Sequence, residues 1–163
     1  FGIDGRLILP LGWETEGHAV AAARQPDGRF VVAGWEWRTV KNRCAVGRFM
    51  DTGWLDPSFG AAGITVTNVP GVTGRCLFYA VALQEDGRII AAGQVQSSTV
   101  SAHSRFVVAR YNGDGTLDGS FGGTGIVLTA VVAGGVEVEQ GRTLNGREHE
   151  IDQRKNEGQP FVF

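Results

Sequence analysis

The chain has 163 residues, 42% of them apolar, with Lys+Arg 15 against Asp+Glu 17 and a net charge of −2. That length excludes a large multidomain enzyme, and that charge leaves no basic excess to drive binding to a phosphate backbone, so nucleic acid is not an expected partner. No apolar run approaches the roughly 20 residues of a bilayer-crossing helix, and residues 1–10 lack a basic stretch followed by a long apolar one, so neither a span nor a secretion signal is read here.

Glycine is abundant, 25 of 163, about twice the average usage of roughly 7%, and the glycines divide the apolar runs into short pieces. From the N-terminus, strand-like runs are expected at 6–11, 19–24, 29–37 and 43–49, then at 64–69, 77–83, 88–95 and 105–111, with another at 125–133. Asp27-Gly28 and Asp86-Gly87 stand where tight hairpins need turn chemistry. Helical periodicity is absent over residues 1–130. The runs Phe30-Val31-Val32-Ala33-Gly34 and Ile89-Ile90-Ala91-Ala92-Gly93 are apolar on both faces, as suits strands covered on both sides.

These runs recur as a repeat, which is the strongest feature of the sequence. Phe1-Gly2-Ile3-Asp4-Gly5 returns as Phe59-Gly60-Ala61-Ala62-Gly63 and as Phe121-Gly122-Gly123-Thr124-Gly125. Gln25-Pro26-Asp27-Gly28-Arg29 returns 59 residues later as Gln84-Glu85-Asp86-Gly87-Arg88, and Leu55-Asp56-Pro57-Ser58-Phe59-Gly60 returns 62 later as Leu117-Asp118-Gly119-Ser120-Phe121-Gly122. The offset grows between Gly93 and Arg105, in a lengthened polar loop. About 60 residues carrying a four-stranded antiparallel meander match one blade of a β-propeller. The expected fold is therefore all-β, with about two propeller-like four-stranded blades and the start of a third. Repeat boundaries fall at 1–58, 59–120 and a partial 121–133. Two blades do not close a ring, so further blades or self-association are expected. Residues 134–163 carry ten charges and lack another Gln-x-Asp-Gly turn near 146; they read as a charged, atypical tail, solvated or forming a short exposed helix.

The motifs Leu-Asp-x-Ser-Phe-Gly (Leu55 to Gly60 and Leu117 to Gly122), Gln-x-Asp-Gly-Arg (Gln25 to Arg29 and Gln84 to Arg88) and Val108-Ala109-Arg110-Tyr111-Asn112 resemble the delta-60 repeat family, bacterial β-propeller repeats of unknown function. The resemblance covers roughly residues 1–130. It implies a propeller in a surface or secreted bacterial protein, hence an extracellular or cell-surface location, and it brings no catalytic residues.

Candidate sites follow from the meander. It places the Asp-Gly turns at the same end as the Leu-Asp-x-Ser loops, so Asp27, Asp56, Asp86, Asp114 and Asp118 are expected along one rim. Aspartates in such turns ordinarily cap their own backbone, and as an alternative they bind cations or hydroxyl-rich ligands. Asn112-Gly113-Asp114-Gly115-Thr116-Leu117-Asp118 alternates oxygen donors like a calcium loop, but its sister segment puts Met50 and Trp54 at ligand positions and Gly123 stands where a bidentate Glu belongs, which argues against calcium. Trp35 and Trp37 share a strand face and stand where the second copy has Gln94 and Gln96, so they either pack under a neighbouring element or form an aromatic contact patch for a glycan or protein. The ligand-binding candidates are thus Trp35, Trp37, Asp56, Asp86 and Asp118.

His18, His103 and His149 share no metal spacing, and no nucleophile elbow, phosphate loop or zincin motif is present. No catalytic residue, metal or cofactor is expected. Cys44 and Cys76 also lack zinc spacing; buried free thiols are the expected state, with a single bridge as the alternative. The expected function is a non-enzymatic structural or interaction module, against a carbohydrate-binding or hydrolytic propeller with an acidic rim.

Overall fold

The structure is a computed structural model that describes residues 15–38, 41–96, 104–132 and 135–140. These residues form nine strands and no helix: β1 (Thr15–Arg24), β2 (Phe30–Arg38), β3 (Lys41–Phe49), β4 (Ile64–Thr67), β5 (Cys76–Leu83), β6 (Ile89–Gln96), β7 (Ser104–Tyr111), β8 (Ile126–Val132) and β9 (Gly135–Gln140). They pair antiparallel in two meanders, β1-β2-β3-β4 and β5-β6-β7-β8-β9. The expected run at 6–11 and the polar loop at 97–103 lie outside the described residues.

The hairpins arise where Asp-Gly was expected to make them. Gly28 N–H donates to Gln25 O (3.0 Å) and Gln25 N–H to Arg29 O (2.7 Å), while Gly87 and Gln84 repeat the pattern at 3.0 and 2.8 Å. β1 and β5 each carry an irregularity against their neighbour, at Ala19/Ala21 and Phe78/Ala80. Glycine is required opposite each one: a Cβ on Gly34 would lie 1.8 Å from His18 O, and one on Gly93 1.9 Å from Leu77 O. The bulges leave Val20 and Tyr79 as exposed extra residues.

The sheets are out of phase with the sequence repeat by one strand. The run after Leu55 to Gly60 reads as the first strand of a second blade, yet β4 pairs with β3, with Cys44 opposite Thr67 and Gly47 opposite Ile64. Likewise β8, expected to open a third blade, pairs with β7 through Val107–Leu128 and Ala109–Ile126. The Phe-Gly loop therefore turns the chain back onto the sheet it has just left. β9 is a further correction: part of the charged segment expected to be a solvated tail or helix is a fifth strand paired with β8. Residues 141–163 lie outside the described residues.

The core is the layer between the sheets. Residues opposite one another on paired strands project to the same side, so Val31, Ala33, Val46 and Cys44 share the face of the first sheet that meets the second. Their exposure is 0%. The second sheet answers with Phe78, Ile89, Ala91, Val107, Ala109 and Tyr111, also at 0%. Small alanines bring the backbones close, and Phe78 and Tyr111 fill the centre edge to face, 6.5 Å between ring centroids. Cys44 and Cys76 are disulfide-bonded across this layer, which corrects the expectation of free thiols. That two strands 32 residues apart would face each other is invisible until the sheets are stacked.

Candidate functional site: two arginine–aspartate clusters and the seam between the sheets

At the Asp-Gly end of each sheet, the second strand's leading arginine and the third strand's last arginine converge on the aspartate of the Leu-Asp-x-Ser loop. In the first sheet Arg48 Nε donates to Asp56 Oδ2 at 2.8 Å and Arg29 Nε lies 3.0 Å from the same oxygen. Arg29 also holds Asp27 at 2.6 Å. Asp56 Oδ1 accepts from Ser58 N–H (3.0 Å) and Ser58 Oγ (2.6 Å), and Arg48 Nη2 donates to Ser58 Oγ at 3.1 Å. The second sheet repeats this: Arg110 Nε to Asp118 Oδ2 at 2.7 Å, Arg88 Nε to the same oxygen at 3.0 Å, Arg88 to Asp86, and Ser120 N–H and Oγ to Asp118 Oδ1 at 3.0 and 2.7 Å. Arg48 and Arg110 each lie 4.8 Å above a ring, Phe59 and Phe121.

The electrostatics follow from these donors. The Ser58 hydroxyl, its N–H and Arg48 hold the Asp56 carboxyl below its ordinary value against the opposing effect of burial. Ser120 does the same for Asp118, and Thr116 for Asp114. The N–H of Arg29 lowers Asp27 and that of Arg88 lowers Asp86, while the Asp27 carboxylate raises Arg29. A general acid at neutral pH needs the opposite shift; these carboxylates are acceptors that tie loops to strands. Among the described residues, no group of three or more His, Cys, Asp and Glu side chains could hold a metal. Asp114, in the loop considered for calcium, spends Oδ1 on Thr116 N–H and Oγ1 at 2.9 and 2.7 Å.

The first cluster also joins the two sheets. Arg48 Nη1 donates to Gly113 O in the second sheet's β7–β8 turn, Gly60 N–H to Asp114 O at 2.8 Å, and Thr65 Oγ1 to Gly115 O at 2.8 Å. Gly115 has φ +87°, and a Cβ there would stand 2.9 Å from the Phe59 ring, so the turn seats against that ring only with glycine. Deeper in the seam, Thr67 Oγ1 bonds the Tyr111 hydroxyl, whose pKa burial pushes up despite that bond.

The sequence-predicted site residues fall into two groups. Asp56 sits with Asp27, and Asp118 with Asp86, each pair bridged by one arginine. Trp35 and Trp37 lie elsewhere, five and seven residues past Phe30 on β2, about 17 and 23 Å along an extended strand. The His18 ring stacks on Trp35 with 5.2 Å between centroids, Tyr79 of the second sheet meets its edge at 6.1 Å, and Arg75 stands 6.0 Å from the Trp37 ring. Gln94, the counterpart of Trp35, donates to the Tyr79 hydroxyl at 2.9 Å. The structure therefore does not bring the tryptophans and the aspartates into one site. His103 and His149 lie outside the described residues. Sequence reasoning did not single out Arg29, Arg48, Arg88 and Arg110 as site residues. The signal of Arg48 and Arg110 is a charged residue recurring at the end of an otherwise apolar run, in Val46-Gly47-Arg48-Phe49 and Val108-Ala109-Arg110-Tyr111, and that of Arg29 and Arg88 is the last position of the recurring Gln-x-Asp-Gly-Arg turn.

A family model described as a domain of unknown function (DUF5122) beta-propeller matches residues 84–121. The matched stretch runs from the Gln84 turn through β6 and β7 to Phe121, and so contains every member of the second arginine–aspartate cluster. No curated protein and no solved structure matches the chain. Stacked antiparallel meanders together with this match make the chain an all-β protein with propeller-like blades, residues 84–121 being similar to a beta-propeller domain of unknown function.

Proposed function

We propose that the chain is a non-enzymatic structural or interaction module, built from propeller repeats of the delta-60 kind, in a bacterial surface or secreted protein. The observation that carries this reading is the commitment of the conspicuous polar groups to architecture: Asp56 and Asp118 each accept two hydrogen bonds on Oδ1 and a hydrogen bond and an ion pair on Oδ2, and Arg48 spans the seam. The Cys44–Cys76 bridge supports an oxidising compartment, since disulfides persist in secreted and surface proteins and are rare in reducing cytosol.

The test is a glycan array and a glycosidase substrate panel on the purified chain. No saturable sugar binding and no turnover are expected. Saturable binding lost in the Trp35→Ala/Trp37→Ala double variant, or hydrolysis lost in Asp86→Asn, would replace this reading with the sugar-binding or hydrolytic one. Location is checked by fractionating the source cells and probing each fraction with antibody against this chain.

A further inference from the structure

The outward face of the second sheet matches, position by position, the face of the first sheet that the second one covers. Offsets of 59 in β1–β2 and 62 in β3–β4 map Val31, Ala33, Val46 and Cys44 onto Ile90, Ala92, Val108 and Phe106. The first four are fully buried, whereas the first three of their counterparts are half-exposed and Phe106 is 59% exposed. Arg110 repeats the bonds of Arg48 to aspartate and serine, but among the described residues nothing repeats the Arg48–Gly113 contact or the Gly60–Asp114 bond on Arg110 and Gly122.

The opposite end of the stack offers the complement. The β3–β4 turn at Met50 to Trp54 has the bonds of the β7–β8 turn: Gly53 N–H to Met50 O at 2.8 Å and Met50 N–H to Trp54 O at 2.7 Å, as Gly115 to Asn112 and Asn112 to Thr116 at 3.0 and 2.8 Å. Gly53 has φ +96°, as Gly115 has +87°. Half-buried Val32, Ala45 and Phe49 lie on the far face of the first sheet, at the positions of Ala91, Val107 and Tyr111.

We infer that the outward face of β6–β8, centred on Phe106, docks the far face of β2–β3 from a second copy of this chain, head to tail. The inference rests on the module reading above. Repeating the internal seam would point Arg110 Nη1 at Asp51 O and Gly122 N–H at Thr52 O. Phe106 would stand opposite Gly17, the counterpart of Cys76, so a large ring meets a residue with no side chain. Three internal links lose their partners there: Val127 replaces Thr65, Phe49 replaces Tyr111, and no cysteine stands at 106 or 17. The contact between copies is thus a weaker, noncovalent and more apolar version of the internal seam. Because its two surfaces differ, it is heterologous and propagates into rings or filaments.

The test measures mass by light scattering over a micromolar-to-millimolar concentration series of the 163-residue chain. Wild type is expected to rise from monomer to dimer and beyond. Phe106→Asp and Val32→Asp, each blocking one surface, are expected to stay monomeric to at least tenfold higher concentration, and their equimolar mixture to give dimers and nothing larger. Peptide mapping of the disulfide and circular dichroism verify the fold of each variant, and Phe106→Ser serves if the aspartate misfolds. A wild type monomeric at every concentration, or association that survives Phe106→Asp, overturns the docking. Absence of the Cys44–Cys76 linkage in wild type overturns the stacked module instead.

Discussion

Cys44 and Cys76 join β3 of one sheet to β5 of the next across a Cα–Cα distance of 4.9 Å. Both are almost fully buried, so the covalent link lies within the apolar layer. Water and salt do not compete with this bond as they do with the hydrogen bonds and ion pairs of the seam. It closes the stretch from Cys44 to Cys76, which carries the second half of β3 and all of β4, into one loop of chain.

Reduction should therefore cost stability. A closed loop of this length restricts the unfolded chain by about 3–4 kcal/mol. Cys44→Ala/Cys76→Ala should lower stability by that amount in a urea titration, and added reductant should shift wild type to the same midpoint. An unchanged midpoint under reduction would show that the bridge constrains nothing.

Asp56→Ala leaves Arg48 buried without its carboxylate, and losing one partner of a buried pair costs about 3 kcal/mol. Asp118→Ala should cost clearly less, because the Arg110 side chain is 20% exposed where Arg48 is 9% exposed, and water can replace the lost acceptor. Paired thermal melts decide the order; equal losses would mean that burial does not set the difference.

The lowered aspartates make stability depend on acid in a definite direction. Each binds its proton less tightly when folded than when unfolded, so its contribution is complete above the ordinary carboxylate value of 3.8. It disappears as pH falls from there through the folded-state values. Denaturant unfolding at pH 7 and pH 3 should show the loss, and Asp56→Asn should reduce the difference between the two pH values. A chain more stable at pH 3 would contradict this assignment.

Tyr111→Phe removes the hydroxyl bonded to Thr67 while keeping the ring that packs against Phe78. The expected loss is about 1 kcal/mol. Hydrogen exchange should show it as faster opening of β4 amides, with β1 and β2 unaffected.

The strands were legible because each apolar run ends at turn chemistry, and Trp35 and Trp37 share a face by strand alternation alone. The gathering of Asp27 with Asp56 was legible from meander direction. Strand partnership was not: Ile64–Thr67 looks like the opening of a unit because it follows the Phe-Gly loop, while its partner is chosen by backbone bonds to β3. The clusters were half legible, since the aspartates stand out in turns but Arg48 and Arg110 are hidden at strand ends. His18, Tyr79 and the bridge depend on which sheet faces which, and no local pattern encodes that.

The offset between repeat and sheet bears on how such a chain changes length over generations. Because β4 and β8 lie just beyond the Leu-Asp-x-Ser-Phe-Gly motif, the fourth strand of each sheet is encoded in the unit downstream of the first three. Unequal recombination that removes or inserts one whole genetic period would splice a third strand to a fourth of the same register. The copy number can drift without any intermediate gene encoding an orphaned ladder.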